Sequence, residues 1–590
     1  MFDRDRLTKA YEKARADLLS ERCPHGHWQG ELCSSALSTA TAVSALACVV
    51  NADSATSDKT TLRPLIDRGV EYIARIQNFD GGWGDTDKSL SNIATTMLVQ
   101  AAIHLANRTH KYSVALESAD KYLHDQGHIA GLKKRYGRDK TFAVPILTNC
   151  AIAGLVPWSK VSPLPFELAC FPHGFYRFLQ LPVVSYAIPA LVAIGQARCF
   201  HRKPLNPITR LTRSIATERS LNVVERMQPE SGGFLEATPL TSFVVMSLAS
   251  IGRADHAIVH KGVQFLLDSV RDDGSWPIDT NLATWVTTLS INALDDGSTP
   301  PVGHECLEWL LACQHRVRHP FTNADPGGWG WTDLTGAVPD ADDTPGALLA
   351  LSKLVHGATD QQAEPIQDAA RTGVNWLLGL QNRNGGWPTF CRGWGKLPFD
   401  RSSTDLTAHA LRALHAWRDT APNQIEAAIQ RGFHFLNTQQ LADGSWMPLW
   451  FGNQHREDEQ NPIYGTARVL LAYRDLNRLE SEAARRGFHY LVSQQRSDGG
   501  WGAAPCGKVS STEETAVTLE ALLAFPSVQS TQTSTEKGLE WLIEAVEQDR
   551  HRDSTPIGFY FARLWYYERL YPMVFAVSAL REALERTLSP

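Results

Sequence analysis

Along most of this chain, segments with apolar residues on one helical face end in Gly-containing turns and are followed by runs rich in Ala and Leu. The alternation repeats. Arg68-Gly69-Val70-Glu71-Tyr72-Ile73 leads to Gln77, Gly81 and Trp83, and Trp376-Leu377 leads to Gln381, Gly385 and Trp387. Arg431-Gly432 with Phe435-Leu436 leads to Gln440, Gly444 and Trp446; Arg486-Gly487 with Tyr490-Leu491 leads to Gln495, Gly499 and Trp501. Looser copies keep the shape around Gln228–Phe234, Lys261–Trp276 and Trp309–Trp329. Each copy reads as the end of an amphipathic helix, a turn in which Gly takes a positive φ, and a second, buried helix. The Trp is expected to lie near the Gln side chain, whose amide can bond backbone groups exposed at the turn.

Such units cannot bury their apolar faces alone, so neighbours must stack, and the expected fold class is all-α. Between Ala283 and Ala579 the pattern is continuous enough to close into a helical barrel, and strand signals are almost absent. With 590 residues the chain is too long for one core, and two large domains are expected. Leu164–Gly195 departs from the repeat, with Phe166, Phe171, Phe175, Phe178 and Val183 among few charges. It reads either as irregular core or as an apolar patch that dips into a membrane or forms a substrate entrance.

Composition narrows the function. A net charge of −6 and a pI near 6.4 supply no basic field, so nucleic acid is not an expected partner. Ten Cys without a C-x-x-C pair suggest neither a zinc ribbon nor a disulfide framework. Met1–Arg22 is charged, without an apolar signal core, and no run reaches the roughly 18 apolar residues of a spanning helix. The expectation is a protein that is soluble or rests on one leaflet.

The candidate chemistry lies in Pro339-Asp340-Ala341-Asp342-Asp343-Thr344-Pro345, between Gly327-Gly328-Trp329-Gly330-Trp331 and the apolar run that begins at Ala347. Acids at a helix start are ordinarily caps. Three within four residues cannot all ionise cheaply, however, and a carboxyl kept neutral beside aromatic rings is a proton donor. Asp405 and His409, spaced i, i+4, share a helix face.

These repeats, together with Asp340-Ala341-Asp342-Asp343-Thr344, resemble the class II triterpene cyclases of the squalene–hopene cyclase group. The resemblance implies two α-α barrel domains, residues 17–280 being inserted into a catalytic barrel of residues 1–16 and 281–590. It implies that Asp342 protonates a terminal alkene, flanked by Asp340 and Asp343, with His409 hydrogen-bonded to it and Asp405 behind the histidine. It places Trp285, Trp331, Phe390, Trp450, Tyr464 and Phe559 on the pocket wall, and Tyr186, in the apolar stretch, among the substrate-binding candidates. Aromatic faces stabilise carbocations without acting as bases or nucleophiles. The implied partners are a linear polyprenoid and one membrane leaflet on its cytoplasmic side, and a homodimer is compatible with it. No cofactor is called for: the magnesium motif of ionising terpene synthases is not evident, since Asp295-Asp296-Gly297 lacks a third acid.

Two departures bear on the product. Ser34, Ser35, Ser38, Thr39 and Thr41 stand where hopene-forming relatives carry a Glu, which leaves the terminating group open. The loop between Trp450 and Tyr464 is enlarged and polar, and Gly386–Gly395 looks closer to the tetraprenyl-β-curcumene cyclase branch. Rival readings are a cyclase of a prenyl diphosphate and a non-catalytic barrel that binds prenyl groups. A protein prenyltransferase subunit would need an Asp/Cys/His zinc site, for which no spacing is found.

Overall fold

The computed structural model describes residues 4–52, 59–137, 141–178, 188–295, 297, 302–320, 322–393, 395, 399–502, 510–525, 529–559 and 563–588. Six helices form a closed ring in which each packs on the next: Ala283–Leu294, Asp343–Leu354, Thr404–Ala416, Pro462–Asp475, Thr512–Leu522 and Tyr571–Leu588. Outer helices, among them Asp360–Leu380, Pro422–Gln439 and Glu482–Ser493, surround it. A second ring is built from Ala36–Asn51, Ile93–Leu105, Ala143–Ile152, Ile188–His201 and Thr238–Ala249. Ring helices are apolar around most of their circumference because both faces are covered; Ala36 through Val50 are all buried. The protein is therefore an all-α pair of α-α barrels.

The first helix, Arg4–Ser20, packs on Gln529–Glu547 and Tyr571–Leu588, at the far end of the chain. It runs unbroken past residue 16, so a domain division after that residue would cut a helix; the chain leaves the six-helix barrel only after Ser20. Ion pairs fasten it: Arg6 to Glu547 at 2.6 Å, Lys13 to Asp549 at 2.8 Å and Asp17 to His551 at 2.8 Å.

The repeat residues have a specific job. Gln381 Nε2 donates to the carbonyls of Gly385 (2.8 Å) and Ala428 (2.9 Å), tying the turn to the next outer helix. Gln77, Gln228, Gln314, Gln440 and Gln495 bond in the same way. The indole N–H of Trp446 donates to Leu436 O at 2.8 Å, back across the end of its own helix. Its ring reaches the following repeat. It lies on Gly487 of the following outer helix, where an added Cβ would come within 2.6 Å of the ring. That contact explains the Gly of the Arg-Gly pair in these repeats: Gly432 makes room for Trp387 and Gly487 for Trp446, each the Trp of the unit before it.

Strands are few and short among the described residues. Ser34–Ser35 pairs with Trp276–Pro277, and Phe451–Gly452, Ile557–Phe559 and Leu564–Tyr566 form a three-stranded antiparallel sheet. The polar loop after Trp450 joins the barrels. Gln454 bonds Leu90 N and Lys88 O (both 3.1 Å), and Glu459 pairs with Arg135, on the helix His128–Tyr136 outside the second ring (2.9 Å), and with Arg563 (3.2 Å). Among the described residues no helix is long and apolar enough to cross a membrane.

Candidate active site

The acid segment enters the helix Asp343–Leu354 at the N-terminal end of the six-helix ring. Asp340 N donates to Trp329 O (3.0 Å) and Ala341 N to Thr389 O (2.9 Å), so the segment is clamped between two aromatic loops. The three acids divide the work. Asp340 Oδ1 accepts from the backbone N–H groups of Asp342 (2.8 Å) and Asp343 (2.7 Å), which makes it the cap of the helix. Asp340 and Asp343 are each 4% exposed, and burial pushes both carboxyls above the usual carboxylate range. The charge of Asp340 raises Asp343 further, so the two do not both ionise cheaply. Asp342 is the one that reaches open space, its side chain 25% exposed.

His409, on the ring helix Thr404–Ala416, places Nδ1 3.1 Å from Asp342 Oδ1. Burial lowers the imidazole's basicity more than Asp342 restores it, so the ring stays neutral and can lend Asp342 a donor or an acceptor. Asp405 shares the helix but does not back the histidine as expected. Its carboxylate accepts from Ser403 Oγ and from Leu449 N (3.2 Å), and burial raises it to about 6. The i, i+4 spacing put the two on one face, but the carboxylate bonds the loop at Leu449.

Of the candidate aromatics, Trp285 and Tyr464 line the cavity that Asp342 reaches, and Trp331, Phe390 and Trp450 form a cluster of their own. Trp285 stands edge-on to His409, centroids 6.0 Å apart, and its indole N–H donates to Tyr571 Oη at 3.0 Å. Trp331, Phe390 and Trp450 form a half-buried wall of edge-to-face rings, 6.4 and 6.2 Å between successive centroids. Tyr464 stacks on Phe451 at 4.3 Å. Phe559 lies on the strand opposite Phe451, its backbone alone being described, and Tyr186 falls outside the described residues.

Behind Asp342 a cavity of about 360 Å³ runs down the ring past Trp285, His409 and Tyr464 to Lys353, His415 and Asp475. Arg468, one turn beyond Tyr464, lines it with its guanidinium 5.0 Å from the ring centroids of Tyr464 and Phe575. The sequence reading missed Arg468, although its i+4 spacing from Tyr464 was visible; Tyr571 left no such signal. One group could hold a metal ion among the described residues, Asp17, Asp549 and His551. Lys13 and Arg552 already pair with its carboxylates at 2.8 and 2.6 Å, which makes it an ion-pair network on the barrel's outside.

Two toroids around an acid held in aromatic walls define a terpene cyclase fold. The profile of the squalene–hopene cyclase C-terminal domain matches residues 282–585, and that of the N-terminal domain matches residues 11–208. The chain belongs to the squalene–hopene cyclase family. It is 25% identical, over 99% of its length, to a terpene cyclase–glycosyl transferase fusion protein of Humicola fuscoatra, of which it spans only 50%. It is 24% identical to the squalene–hopene cyclase of Alicyclobacillus acidocaldarius, across 84% of this chain and 92% of that one. Among solved structures, the ent-copalyl diphosphate synthase of Streptomyces platensis superposes with a TM-score of 0.60 at 19% identity, over 98% of this chain and 99% of that one. At that identity the likeness is one of fold.

Proposed function

We propose that this protein is a class II terpene cyclase that protonates the terminal alkene of a linear polyprenoid, squalene or a close relative, and so starts a cationic ring-closing cascade. One observation carries the reading. Of three clustered acids, Asp342 alone reaches the cavity, with His409 at 3.1 Å and Trp285 beside it. Asp342 delivers the proton. Burial of Asp340 and Asp343 raises both carboxyls, which favours their neutral forms and limits the negative charge near the donor. The aromatic wall then shields the cation from water and stabilises it through its π faces, and a closed, shaped space folds the polyene towards ring closure.

The prenyl diphosphate reading needs free cations in the cavity. Lys353 is paired with Asp295 (3.1 Å), Arg412 and Arg474 with Asp475 (2.6 and 2.7 Å) and Arg581 with Glu585 (3.0 Å), so among the cavity's cations in the described residues Arg468, which lies against the Tyr464 and Phe575 rings, is the one without an ion pair, fewer than a diphosphate calls for. The deciding experiment offers squalene and tetraprenyl-β-curcumene separately and identifies products by mass spectrometry. Cyclic isomers or hydrates from the wild type, and none from Asp342→Asn at unchanged circular dichroism, support the reading; near wild-type turnover by that variant ends it.

The same reading includes contact with one membrane leaflet. Its support is a band of exposed apolar side chains on the smaller barrel, among them Phe171, Phe178, Phe200, Leu205, Ile208 and Leu211. A polyprene dissolved in lipid would reach the protein there.

A further inference from the structure

Delivering a proton to an alkene leaves a negative charge behind. The O–H bond of Asp342 breaks and its electron pair stays on the carboxylate. The π pair of the alkene forms the new C–H bond, which puts a positive charge on the neighbouring carbon. That positive charge moves along the polyene with each ring closure, and the proton given up by the last cation balances the one delivered. The negative charge stays on Asp342. In a buried site it is costly unless a fixed positive group faces it. His409 does not supply that charge, because burial keeps its imidazole neutral.

Among the described residues, the cavity that Asp342 lines holds Lys353, Arg412, Arg468, Arg474 and Arg581. Four of these cations are committed to carboxylates in ion pairs. Arg468 differs. It lies one turn beyond Tyr464 on the ring helix Pro462–Asp475, with its guanidinium 5.0 Å from the centroids of Tyr464 and of Phe575. Its Nη2 is buried without a hydrogen-bond partner. The two rings hold the guanidinium in place by cation–π contact, and that contact leaves its charge intact.

The charge is felt across the cavity. Burial works against the guanidinium, while Tyr464, Glu520 and Asp342 favour it. Glu520 is shared, since it lies 3.9 Å from Arg474. Attraction between charges is mutual, so a guanidinium that Asp342 favours also favours the anion of Asp342. Arg468 and Arg412 both add to the burial that keeps His409 neutral, and Arg412 is bonded to Asp475 at 2.6 Å.

We infer that Arg468 is the fixed positive charge behind the reaction: it stabilises the carboxylate that proton transfer leaves on Asp342 and thereby strengthens the acid. This rests on the cyclase reading. Arg468 acts through Asp342 and is a positioning residue. An alkene is a very weak base, and a preorganised charge that is already in place when the proton leaves lowers the barrier without any rearrangement of solvent.

The test compares wild type, Arg468→Met and Arg468→Lys on the polyprene that the wild type consumes and on the same polyprene with its terminal alkene epoxidised. An oxirane oxygen is far more basic than an alkene and requires a weaker acid. Arg468→Met removes the charge and keeps the length of the side chain. On the alkene its kcat should fall at least about tenfold with KM within about twofold, and on the epoxide the loss should be at least about threefold smaller. Arg468→Lys keeps a charge and should recover most of the lost kcat. Consumption of the alkene by the wild type tests the underlying reading, and the ratio of the two losses tests Arg468. Equal losses on both substrates overturn the inference, because packing alone would produce them. A lysine variant no faster than the methionine variant overturns it too, as does a methionine variant within twofold of wild type. If the wild type does not take the epoxide, the comparison of lysine with methionine decides. If Arg468→Met does not fold by circular dichroism, Arg468→Gln replaces it under the same criteria.

Discussion

His409 Nδ1 lies 3.1 Å from Asp342 Oδ1, although Asp405, its neighbour one turn earlier, bonds Ser403 and Leu449 instead. The histidine therefore contacts the proposed proton donor, and no carboxylate other than Asp342 bonds it among the described residues. A hydrogen bond to an ionisable group contributes about 1.5–3 kcal/mol, which corresponds to roughly a tenfold to hundredfold change in rate. His409→Phe should lower initial turnover by about that factor while leaving the product pattern intact. A rate within twofold of wild type would mean that the contact does not tune the acid.

Asp405 supplies a pH prediction for stability. Its carboxyl is raised by burial from the usual carboxylate range to about 6. Below pH 4 the folded and unfolded states both hold the proton. Between 4 and 6 only the folded state does, so the fold loses stability as pH rises through that window, by up to about 3 kcal/mol. Above 6 the loss is constant. Asp405→Asn keeps a carbonyl acceptor for Leu449 N and removes the titration. Denaturant melts at pH 4 and pH 7 should differ less for this variant; an equal difference in both proteins contradicts the assignment.

Two glycines on outer helices should respond to alanine in opposite directions. Gly379 has open space around an added Cβ, so Gly379→Ala should stabilise the protein by about 0.5–1 kcal/mol through helix propensity. At Gly487 the same Cβ meets the Trp446 ring at 2.6 Å, and Gly487→Ala should cost about 1–3 kcal/mol from overpacking. Thermal unfolding of the pair reads both signs.

The apolar band predicts how the protein leaves lipid. Phe178 and Leu205 are 84% and 97% exposed, and the segment Phe166–Cys170 packs on Pro207–Met227, which joins the two stretches into one surface. Detergent should release the protein from vesicles and high salt should not, because apolar contact is not screened. Replacing Leu205 and Ile208 together with Glu should abolish co-sedimentation while circular dichroism stays unchanged. Efficient release of the wild type by salt alone would exclude an apolar anchor.

By itself the sequence determined the all-α class, because a helix–turn–helix phrase repeated with Gln, Gly and Trp leaves neighbouring units no way to bury their faces except by stacking. It also singled out Asp340, Asp342 and Asp343, since local crowding of like charges is visible along a chain. Only the tertiary structure decided which acid does what: Asp340 turns inward to cap the helix, Asp343 is sealed behind it, and Asp342 meets the cavity. It also decided where Trp446 rests and that Asp405 serves Leu449 rather than His409. These outcomes depend on which loop lies within reach of a side chain in the folded chain. That is settled between segments far apart in sequence, as with Asp342, His409 and Arg468, and spacing along one helix carries no record of it.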